Sequence, residues 1–493
     1  MATKIRKLKD GEGNIIAPVT STKAVINETG QDVEILLDEK VDFPTLNEKL
    51  NEKVDFPTLN EKLDEKVDFP TLNEKLDKKV GFRDVVGNPG IPNIPIPGGG
   101  DLSLMDIYGK YIGTRETANC YVINAPGDYK FPLIYGNAIK DGANNTQAYR
   151  SAGGQYQSDF VNMFNNPISS PYIEEDIDDV ISSAEVLISD EPDIISDLEI
   201  IDDFPCKLVR FHVSSIPKAG ANAVIGVKNN KSNIAWSWHI WLWDQISHPL
   251  EEVEIKNHEG NNYNILNYNL GSKFDNDNSH LKNWYYQWGK KDPMLLPESY
   301  NSNNNHTSYG TTSFSIEPCA ASVAESIKNP CTLYKSDSNY NNNWVQLNYY
   351  YNFWDATCES TGATEKVIVK TIYDPCPRGF TVPNARVFTG FTSTGDNTNT
   401  AEQFNVIGSF ANGWYFKKNE SDSTGAFFPA SGHRFQSSGD FRYVGTDGDY
   451  WSAGVNLATS AYHLRFSSGY VRPLYYSSRA SAFPVRPVKG GGA

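Results

Sequence analysis

The sequence predicts a mostly β protein, in which a large C-terminal head follows a thin stalk of short helices. Tyr, Phe and Trp make up 12% of the 493 residues, far more ring area than a disordered chain carries. Only 4 Met accompany 27 Tyr and 38 Gly, a composition typical of strands joined by tight turns. A repeated sequence near the N-terminus supplies the stalk. We therefore divide the chain into segments 1–35, 36–82, 83–100, 101–245 and 246–489.

The first segment, residues 1–35, combines a basic start with a turn that leads into a short strand. Its opening sequence, MATKIRKLK, lacks the apolar stretch of a secretory signal, so we expect assembly in a bacterial cytoplasm. Residues 9–20 place Gly11 and Gly13 ahead of the apolar pair Ile15 and Ile16. This stretch resembles the opening segments of tail-fibre and baseplate-associated proteins in phages of gut Bacteroidetes. By that resemblance it would attach the chain to other tail or baseplate proteins.

Residues 36–82 contain a repeat, in which VDFPTLNEKL at 41–50 recurs at 54–63 and again at 67–76. Within each copy Thr and Glu have the spacing of a helix capping box, and the apolar positions share one helix face. The proline of each copy separates one short helix from the next. A narrow stripe on a helix of about ten residues is marginal alone, so we predict that several chains wind together. The alternative is a charged linker that happens to repeat.

Residues 83–100 are rich in Pro and Gly and predict a tether that lets the head tilt. Residues 101–245 alternate short β patterns with turn residues and predict a β-sandwich-like module, with hairpins at 118–133 and 222–241. Between these hairpins, residues 174–203 contain 13 Asp and Glu but no Lys or Arg. Because this stretch has no D-x-D-x-D-G loop, we expect a solvated acidic face there rather than a cation site.

Six short motifs follow in order along residues 246–489. They are NYNLG at 267–271, WYYQWGKKDP at 284–293, DPCPRGFTVP at 374–383, FPASG at 428–432, YWS at 450–452 and VRPV at 485–488. The series resembles the major paralogous domain of Bacteroidetes surface proteins and is similar to the variable proteins that diversity-generating retroelements alter in phages and bacteria. This resemblance implies an α+β, C-type-lectin-like head, related to the formylglycine-generating enzymes. Within it we expect Trp451 to be a core ring and Arg486 to clamp a loop or a carboxylate.

The sequence between the last of these motifs has the composition of an antibody paratope. Residues 433–443 and 462–481 are rich in Tyr, Ser, Gly and Arg, which combine rigid aromatic area with adaptable loops. In the variable proteins that the chain resembles, diversified positions cluster in this part, on one solvent-facing patch. The predicted ligand-binding residues are Phe435, Gln436, Phe441, Arg442, Tyr443, Asp447, Asp449, His463, Arg465, Tyr470, Arg472, Tyr475 and Tyr476.

Charge and composition argue against several classes of partner. A net charge of −16 disfavours nucleic acid, and no run of about eighteen apolar residues predicts membrane insertion. The six Cys form no C-x-x-C pair, so we expect buried free thiols, with a Cys319–Cys331 disulfide as the open alternative. No motif predicts a cofactor or a metal, and we interpret Asp447-Gly448-Asp449 as a polar turn rather than a cation site.

Together these features predict a non-catalytic receptor-binding protein of a Bacteroidetes phage tail fibre, located in the virion tail, that binds a host cell-surface glycan or protein. A homotrimer is implied by the resemblance to tail fibres, since the repeat itself indicates only association. One alternative is a tail-associated polysaccharide depolymerase, which needs two carboxylates about 5–9.5 Å apart. No G-x-S-x-G or similar motif supports catalysis. The other alternative is a bacterial cell-surface adhesin, against which the stalk and the lack of a signal peptide argue.

Overall fold

The computed structural model describes residues 99–490 except 204, 275–280, 298–307, 341–342 and 347–349, together with four short strands between residues 7 and 33. The chain divides into two compact units, Met1–Val85 and Val86–Ala493. Strands account for 39% of the described residues and helices for 7%, so the predicted mostly β class is confirmed. The repeat at 36–82 and nearly all of the 83–100 linker lie outside the described residues.

In the unit Met1–Val85, the described strands form two short antiparallel pairs. β1 (Lys7–Lys9) pairs with β2 (Ile15–Pro18), and β3 (Val25–Ile26) pairs with β4 (Asp32–Val33). The short strand predicted after the glycine-containing turn is therefore confirmed at β2.

In the second unit, residues 99–242 form two four-stranded sheets with the orders β10-β13-β14-β6 and β11-β12-β7-β5. The elements are, in chain order, β5 (Gly99–Asp101), β6 (Cys120–Ile123), β7 (Gly127–Pro132), β8 (Ile139–Lys140), β9 (Ala143–Asn144), α1 (Ile173–Ile177), β10 (Ile181–Ser189), β11 (Ile195–Ile201), β12 (Leu208–Val213), β13 (Ala221–Asn229) and β14 (Ile234–Leu242). Phe131 of one sheet lies 4.8 Å from Trp238 and 5.2 Å from Tyr121 of the other, measured between ring centroids. The two sheets thus contact each other through buried aromatic rings.

Of the two predicted hairpins, the one at 222–241 is confirmed. β13 and β14 are antiparallel, with Ile225 opposite Trp238. The hairpin predicted at 118–133 is wrong, although both strands form. β6 runs parallel to β14 while β7 pairs with β12, so the chain changes sheets between them. A Pro-Gly turn specifies that the chain reverses, but the burial of each strand decides which neighbour it pairs with.

The acidic stretch at 174–203 forms α1, β10 and β11, and one of its carboxylates is deeply buried. Asp190 accepts hydrogen bonds from the backbone N–H of Asn222 at 2.7 Å and from Trp284 Nε1 at 3.0 Å. The ammonium of Lys273 lies 3.7 Å from the same carboxylate. The expectation of a solvated acidic face is therefore wrong at Asp190, because polar partners supplied by distant strands take the place of water.

Residues 252–489 continue the same unit with short strands and one helix. In chain order they are β15 (Glu252–Lys256), β16 (Asn262–Leu266), β17 (Lys273–Phe274), β18 (Leu281–Lys282), β19 (Tyr286–Gln287), β20 (Ser315–Glu317), α2 (Val323–Lys328), β21 (Thr332–Tyr334), β22 (Phe380–Thr381), β23 (Val406–Ile407), β24 (Gly413–Lys417), β25 (Gly425–Pro429), β26 (His433–Arg434), β27 (Phe441–Arg442), β28 (Gly448–Leu457), β29 (Ser460–Ser467), β30 (Tyr470–Ser478), β31 (Ala482–Phe483) and β32 (Val488–Lys489). Ser322 caps α2 by accepting a hydrogen bond from the backbone N–H of Glu325.

One cluster of buried side chains extends across the predicted boundary at residue 245, from Leu102 to Val485. The side chain of Asn119 crosses it by donating to the backbone oxygens of Ile372 and Asp374, at 2.6 and 2.8 Å. Residues 101–245 and 246–489 therefore share a core within one compact unit. This continuity matters for the site below, because its supporting strands are held by contacts from the whole head.

Two structural expectations for the C-terminal motifs are confirmed. Trp451 is fully buried, and its ring stacks on Phe483 at 4.1 Å. Arg486 is also fully buried, and its guanidinium donates to the Asn269 side chain at 2.6 Å and to the backbone oxygens of Leu266, Asn267 and Phe427. Arg486 therefore clamps a loop rather than a carboxylate.

All six cysteines are free, four of them buried and two half-buried. Burial raises the pKa of both Cys319 and Cys331 to about 12, which keeps these thiols protonated and weakly reactive near neutral pH.

Candidate functional site

The candidate site lies on the sheet formed by β28, β29 and β30, which we term the C-terminal sheet. Its strands are antiparallel in the order β28-β29-β30. Leu464, Phe466 and Val471 point into a hydrophobic cluster on one face. Because side chains alternate along a strand, the intervening positions of β29 and β30 present His463, Arg465 and Arg472 to the other face.

Six of the predicted binding residues meet on this second face and along the outer edge of β30, and a seventh, Arg442 of β27, directly precedes Tyr443. We term the tyrosine–arginine surface the group made of Arg442, Tyr443, Arg465, Tyr470, Arg472, Tyr475 and Tyr476. Each of these side chains is exposed or half-buried, and Tyr443 and Tyr476 are 50% and 53% exposed. Rigid rings and guanidinium groups at partly open positions are the chemistry of a recognition surface.

Arg465 lies at the centre of the tyrosine–arginine surface and holds three rings around its guanidinium. Its Cζ lies 5.7 Å from the ring centroid of Tyr443, 5.6 Å from that of Tyr470 and 5.5 Å from that of Tyr475. Beneath it, Nη2 donates to Asp447 Oδ2 at 2.9 Å. Asp447 also accepts a hydrogen bond from the hydroxyl of Tyr470. This arrangement fixes one arginine and the surrounding rings before any ligand arrives.

Arg472 extends the surface along β30. Its Cζ lies 4.3 Å from the ring centroid of Tyr470 and 5.2 Å from that of Tyr475, and Nη2 donates to the side chain of Asn399 at 3.0 Å. The rings of Tyr475 and Tyr476 are 5.8 Å apart and inclined by only 19°. These two nearly parallel, stacked rings lie at the sheet edge, and we term the pair the Tyr475–Tyr476 platform.

A neighbouring chain segment holds the edge strand in place. Asn397 exchanges two hydrogen bonds with the backbone of Leu474, and the backbone of Thr398 exchanges two with that of Val471. These contacts restrict β30 although it is the last strand of its sheet. Asn397 and Asn399 were missed by sequence reasoning, since only a polar Asn-Thr repetition marks them and nothing local links them to β30.

Four of the predicted residues are buried and do not belong to the accessible surface, and one of them, Asp447, is 7% exposed. Asp449 and His463 are each 1% exposed, and Phe441 is 9% exposed. Phe441 packs on Tyr285, and the guanidinium of Arg434 lies over its ring at 3.9 Å. The expectation that these residues contact a ligand is corrected, because aromatic and charged residues in a Tyr/Ser/Gly-rich segment also build the support beneath an exposed layer.

Asp449 is the centre of that support. One carboxylate oxygen lies 2.9 Å from His433 Nδ1, and the other lies 3.4 Å from His463 Nδ1 and 3.7 Å from Arg465 Nε. Burial acts to raise the pKa of Asp449, but the electrostatic attraction and hydrogen bond of His433, with smaller contributions from His463 and Arg465, outweigh it, and the pKa lies below its ordinary value. The carboxylate is therefore ionised and neutralises Arg465 from below. His433 was not predicted as a site residue, because nothing in its position after Gly432 indicates that it supports the surface.

The three strands of the C-terminal sheet carry, one on each, Asp449, His463 and Ser477. These are the residue types of a serine-hydrolase triad. His463 Nε2 lies 3.0 Å from Ser477 Oγ. However, His463 Nδ1 lies nearer to the backbone oxygen of Leu464, at 3.2 Å, than to Asp449, whose other oxygen contacts His433. Burial lowers the pKa of His463 to about 4, so its ring is neutral at pH 7. We interpret the series as a structural link between strands, because the carboxylate does not orient the imidazole as a general base requires.

The predicted residues between 435 and 443 lie on the segment that leads into the sheet. Arg442 is exposed, and its Cζ lies 3.6 Å from the ring centroid of Phe435, which is half-buried. Gln436 is also half-buried, and its backbone oxygen accepts from Ser336 N at 2.8 Å. Tyr443 adopts φ of 60°, an unfavourable conformation for a ring-bearing residue, which turns the chain where the exposed ring meets Arg465.

The turn Asp447-Gly448-Asp449 is occupied by protein partners, since both carboxylates contact Arg465. Among the described residues, no group of three or more His, Cys, Asp or Glu side chains is arranged to hold a metal ion. Within the same part of the chain, no helix combines the length and apolar character needed to cross a bilayer.

Comparison of the chain with protein-family models, with curated proteins and with solved structures found no match.

Proposed function

We propose that the chain is a receptor-binding protein of a phage tail fibre, which adheres without catalysis to a host cell surface through a variable, C-type-lectin-like tip. The observation that carries the proposal is the tyrosine–arginine surface on the C-terminal sheet. Six of its seven members lie on β29 or β30 or meet Arg465 directly, so one rigid element presents them together.

Adhesion is favoured because this surface is held in position by the protein itself. Arg465 and Asp447 order the rings, and Asn397 orders the edge strand. A ligand that meets ordered aromatic side chains loses little further conformational entropy from the protein, which improves affinity without any new contact. Variation of exposed residues here would change the ligand while Trp451 and Arg486 keep the fold.

The state of the carboxylates supports adhesion over polysaccharide cleavage. A glycosidase needs one carboxyl group as an acid and a second as a base or nucleophile. Asp447 and Asp449, the acidic residues beneath the surface, both contact Arg465, and Asp449 also contacts His433. Because the pKa of Asp449 lies below its ordinary value, this carboxyl group is a poor proton donor at neutral pH.

The proposal includes a homotrimer, in which the repeat at 36–82 forms the stalk and the N-terminal segment joins other tail or baseplate proteins. Three heads on one stalk would convert weak single-site contacts into avidity through their effective concentration. Analytical ultracentrifugation of the full chain tests this part. A trimer at micromolar concentration is expected, and a monomer would contradict the stalk.

The binding site is tested by adsorption of the labelled full chain to intact candidate host cells. Replacing Tyr475 and Tyr476 by Ala should abolish adsorption while thermal unfolding changes little, because Tyr476 is 53% exposed and Tyr475 half-buried. Tyr415→Ala is the matched control, since Tyr415 is also 53% exposed but lies on β24 in another sheet.

Loss of adsorption in the double variant alone would support the proposal. Equal adsorption of the double variant, the control and the original chain would remove the tyrosine–arginine surface as the binding site. Shortening of host polysaccharide during the incubation would replace adhesion by depolymerase activity. Detection of the chain on bacterial cells that carry no phage would favour the alternative of a cell-surface adhesin.

A further inference from the structure

The C-terminal part of this acidic chain is locally basic. Residues 431–490 contain seven Arg and Lys and three Asp, a net charge of +4, whereas the whole chain has a net charge of −16. The arginines that reverse the charge in this segment fall into two groups. Some are buried, and the others are exposed or half-buried at the surface.

Three of the arginines serve the fold. Arg434, Arg479 and Arg486 are each 2% exposed or less. Their guanidinium groups donate to backbone oxygens, among them those of Leu295 and Tyr350. Charges used in this way are not available to a ligand.

The other three arginines belong to the tyrosine–arginine surface, and they differ in how their charge is balanced. Arg465 is neutralised by Asp447 and Asp449. Arg442 and Arg472 form no ion pair with any described residue. Arg442 lies over the ring of Phe435, and Arg472 contacts two rings and the neutral side chain of Asn399. Two positive charges at the surface are therefore ordered by rings and have no carboxylate partner within the described part of the chain.

We infer that the receptor is an anionic polysaccharide, whose sugar rings lie on the Tyr475–Tyr476 platform and whose carboxylate or phosphate groups pair with Arg442 and Arg472. This inference rests on the proposed function and names the ligand class of the same site. A guanidinium binds both kinds of anion through paired N–H donors, so carboxylate and phosphate share the required chemistry.

A glycan fits this surface better than an acidic protein because the platform offers an open aromatic ring rather than a closed pocket. The two rings are inclined by 19°, and Tyr476 is 53% exposed. Protein hot spots usually fill pockets that exclude water, whereas the apolar face of a sugar ring lies against a flat aromatic side chain. Arg472, whose Cζ lies 5.2 Å from the Tyr475 ring centroid, and the exposed Arg442 would also draw a polyanion toward an otherwise repulsive protein.

The test measures binding of the full chain to intact host cells for the double variant Arg442→Gln/Arg472→Gln. We expect at least about a tenfold loss of apparent affinity, since two charge-assisted contacts disappear. Arg150→Gln/Arg210→Gln is the matched control, because both residues are exposed and lie outside the surface. Arg442→Lys/Arg472→Lys should retain part of the binding through charge alone. Circular dichroism melting curves of all variants verify folding.

Treatment of the cells separates the ligand classes. Binding that is lost after periodate, which cleaves sugar diols, and that survives protease would support a glycan. Competition by polygalacturonate indicates a carboxylate, competition by phosphorylated dextran indicates a phosphate, and neutral dextran serves as the control. Loss after protease with resistance to periodate would overturn the inference in favour of an acidic protein.

The inference and the proposed function fail in different ways. If Tyr475→Ala/Tyr476→Ala loses binding while Arg442→Gln/Arg472→Gln binds normally, the anionic ligand is refuted and the receptor-binding surface stands. If both double variants bind like the original chain, the surface is not the binding site and both proposals fall.

Discussion

Replacing Asp449 by Asn tests whether a buried carboxylate supports the tyrosine–arginine surface. The substitution keeps the shape of the side chain but removes the negative charge that faces His433, His463 and Arg465. The amide N–H group of Asn would also face the N–H groups of His433 and Arg465, so donor would meet donor. Arg465 then keeps only Asp447 as its anionic partner.

The expected loss follows from these contacts. A hydrogen bond to a charged group contributes about 1.5–3 kcal/mol, and removing one partner of a buried ion pair costs about 3–5 kcal/mol. The distance of 3.7 Å between Asp449 and Arg465 Nε is long, so we take the lower part of this range. We expect Asp449→Asn to reduce the free energy of unfolding by about 2–4 kcal/mol. Host-cell binding should weaken as well, because Arg465 orders the rings of Tyr443, Tyr470 and Tyr475.

Urea unfolding followed by tryptophan fluorescence measures the stability, and adsorption to host cells measures the function. Asp440→Asn is the matched control, since Asp440 is half-buried in the same part of the chain and forms no ion pair with a described residue. The control should change the free energy of unfolding by less than about 0.5 kcal/mol. An Asp449→Asn variant as stable as this control would refute the supporting role of the carboxylate.

Three further predictions concern the core. Acidification from pH 6.5 to 4 should destabilise the protein, because burial lowers the pKa of His463 to about 4 and that of His239 to about 3. Over this range the unfolded chain takes up protons that the folded protein does not bind. Unfolding experiments at a series of pH values measure the effect, and a stability that does not change with pH would contradict it. Arg486→Ala should lower the free energy of unfolding by about 3–5 kcal/mol, because it leaves buried oxygens without hydrogen-bond donors. A change below about 1 kcal/mol in urea unfolding would show that the loop is stable without Arg486. Cys319 and Cys331 should react only slowly with iodoacetamide at pH 8, because burial raises the pKa of both thiols to about 12. Mass spectrometry measures the labelling, and rapid modification of these two thiols in the native protein would contradict the prediction.

Local patterns predicted much of the secondary structure but not the way in which its pieces pair. The alternation of Trp236, Trp238 and Ile240 predicted β14, and its pairing with β13 is confirmed. The Pro-Gly turn near Gly127 predicted two strands that do form, yet they enter different sheets. A turn acts over a few residues, whereas the choice of partner depends on burial across the entire core.

The candidate site shows the same division. Composition and the resemblance to variable proteins selected Tyr470, Arg472, Tyr475 and Tyr476, which lie together on one strand. It also selected Phe441 and His463, which are buried. Sequence does not separate an exposed ring from a supporting one when both stand among Ser and Gly, because exposure depends on the segments that fold over them.

The sequence by itself therefore determined the mostly β class, the core role of Trp451, the clamping role of Arg486 and the segment that carries the tyrosine–arginine surface. Only the tertiary structure decided that Asp449 and His463 lie beneath that surface and that Asn397 and Asn399 complete its edge. It also decided that no carboxylate among the described residues pairs with Arg442 or Arg472. The physical reason is range: side-chain chemistry and local periodicity act between near neighbours, while burial and charge pairing depend on residues that only the folded chain brings together.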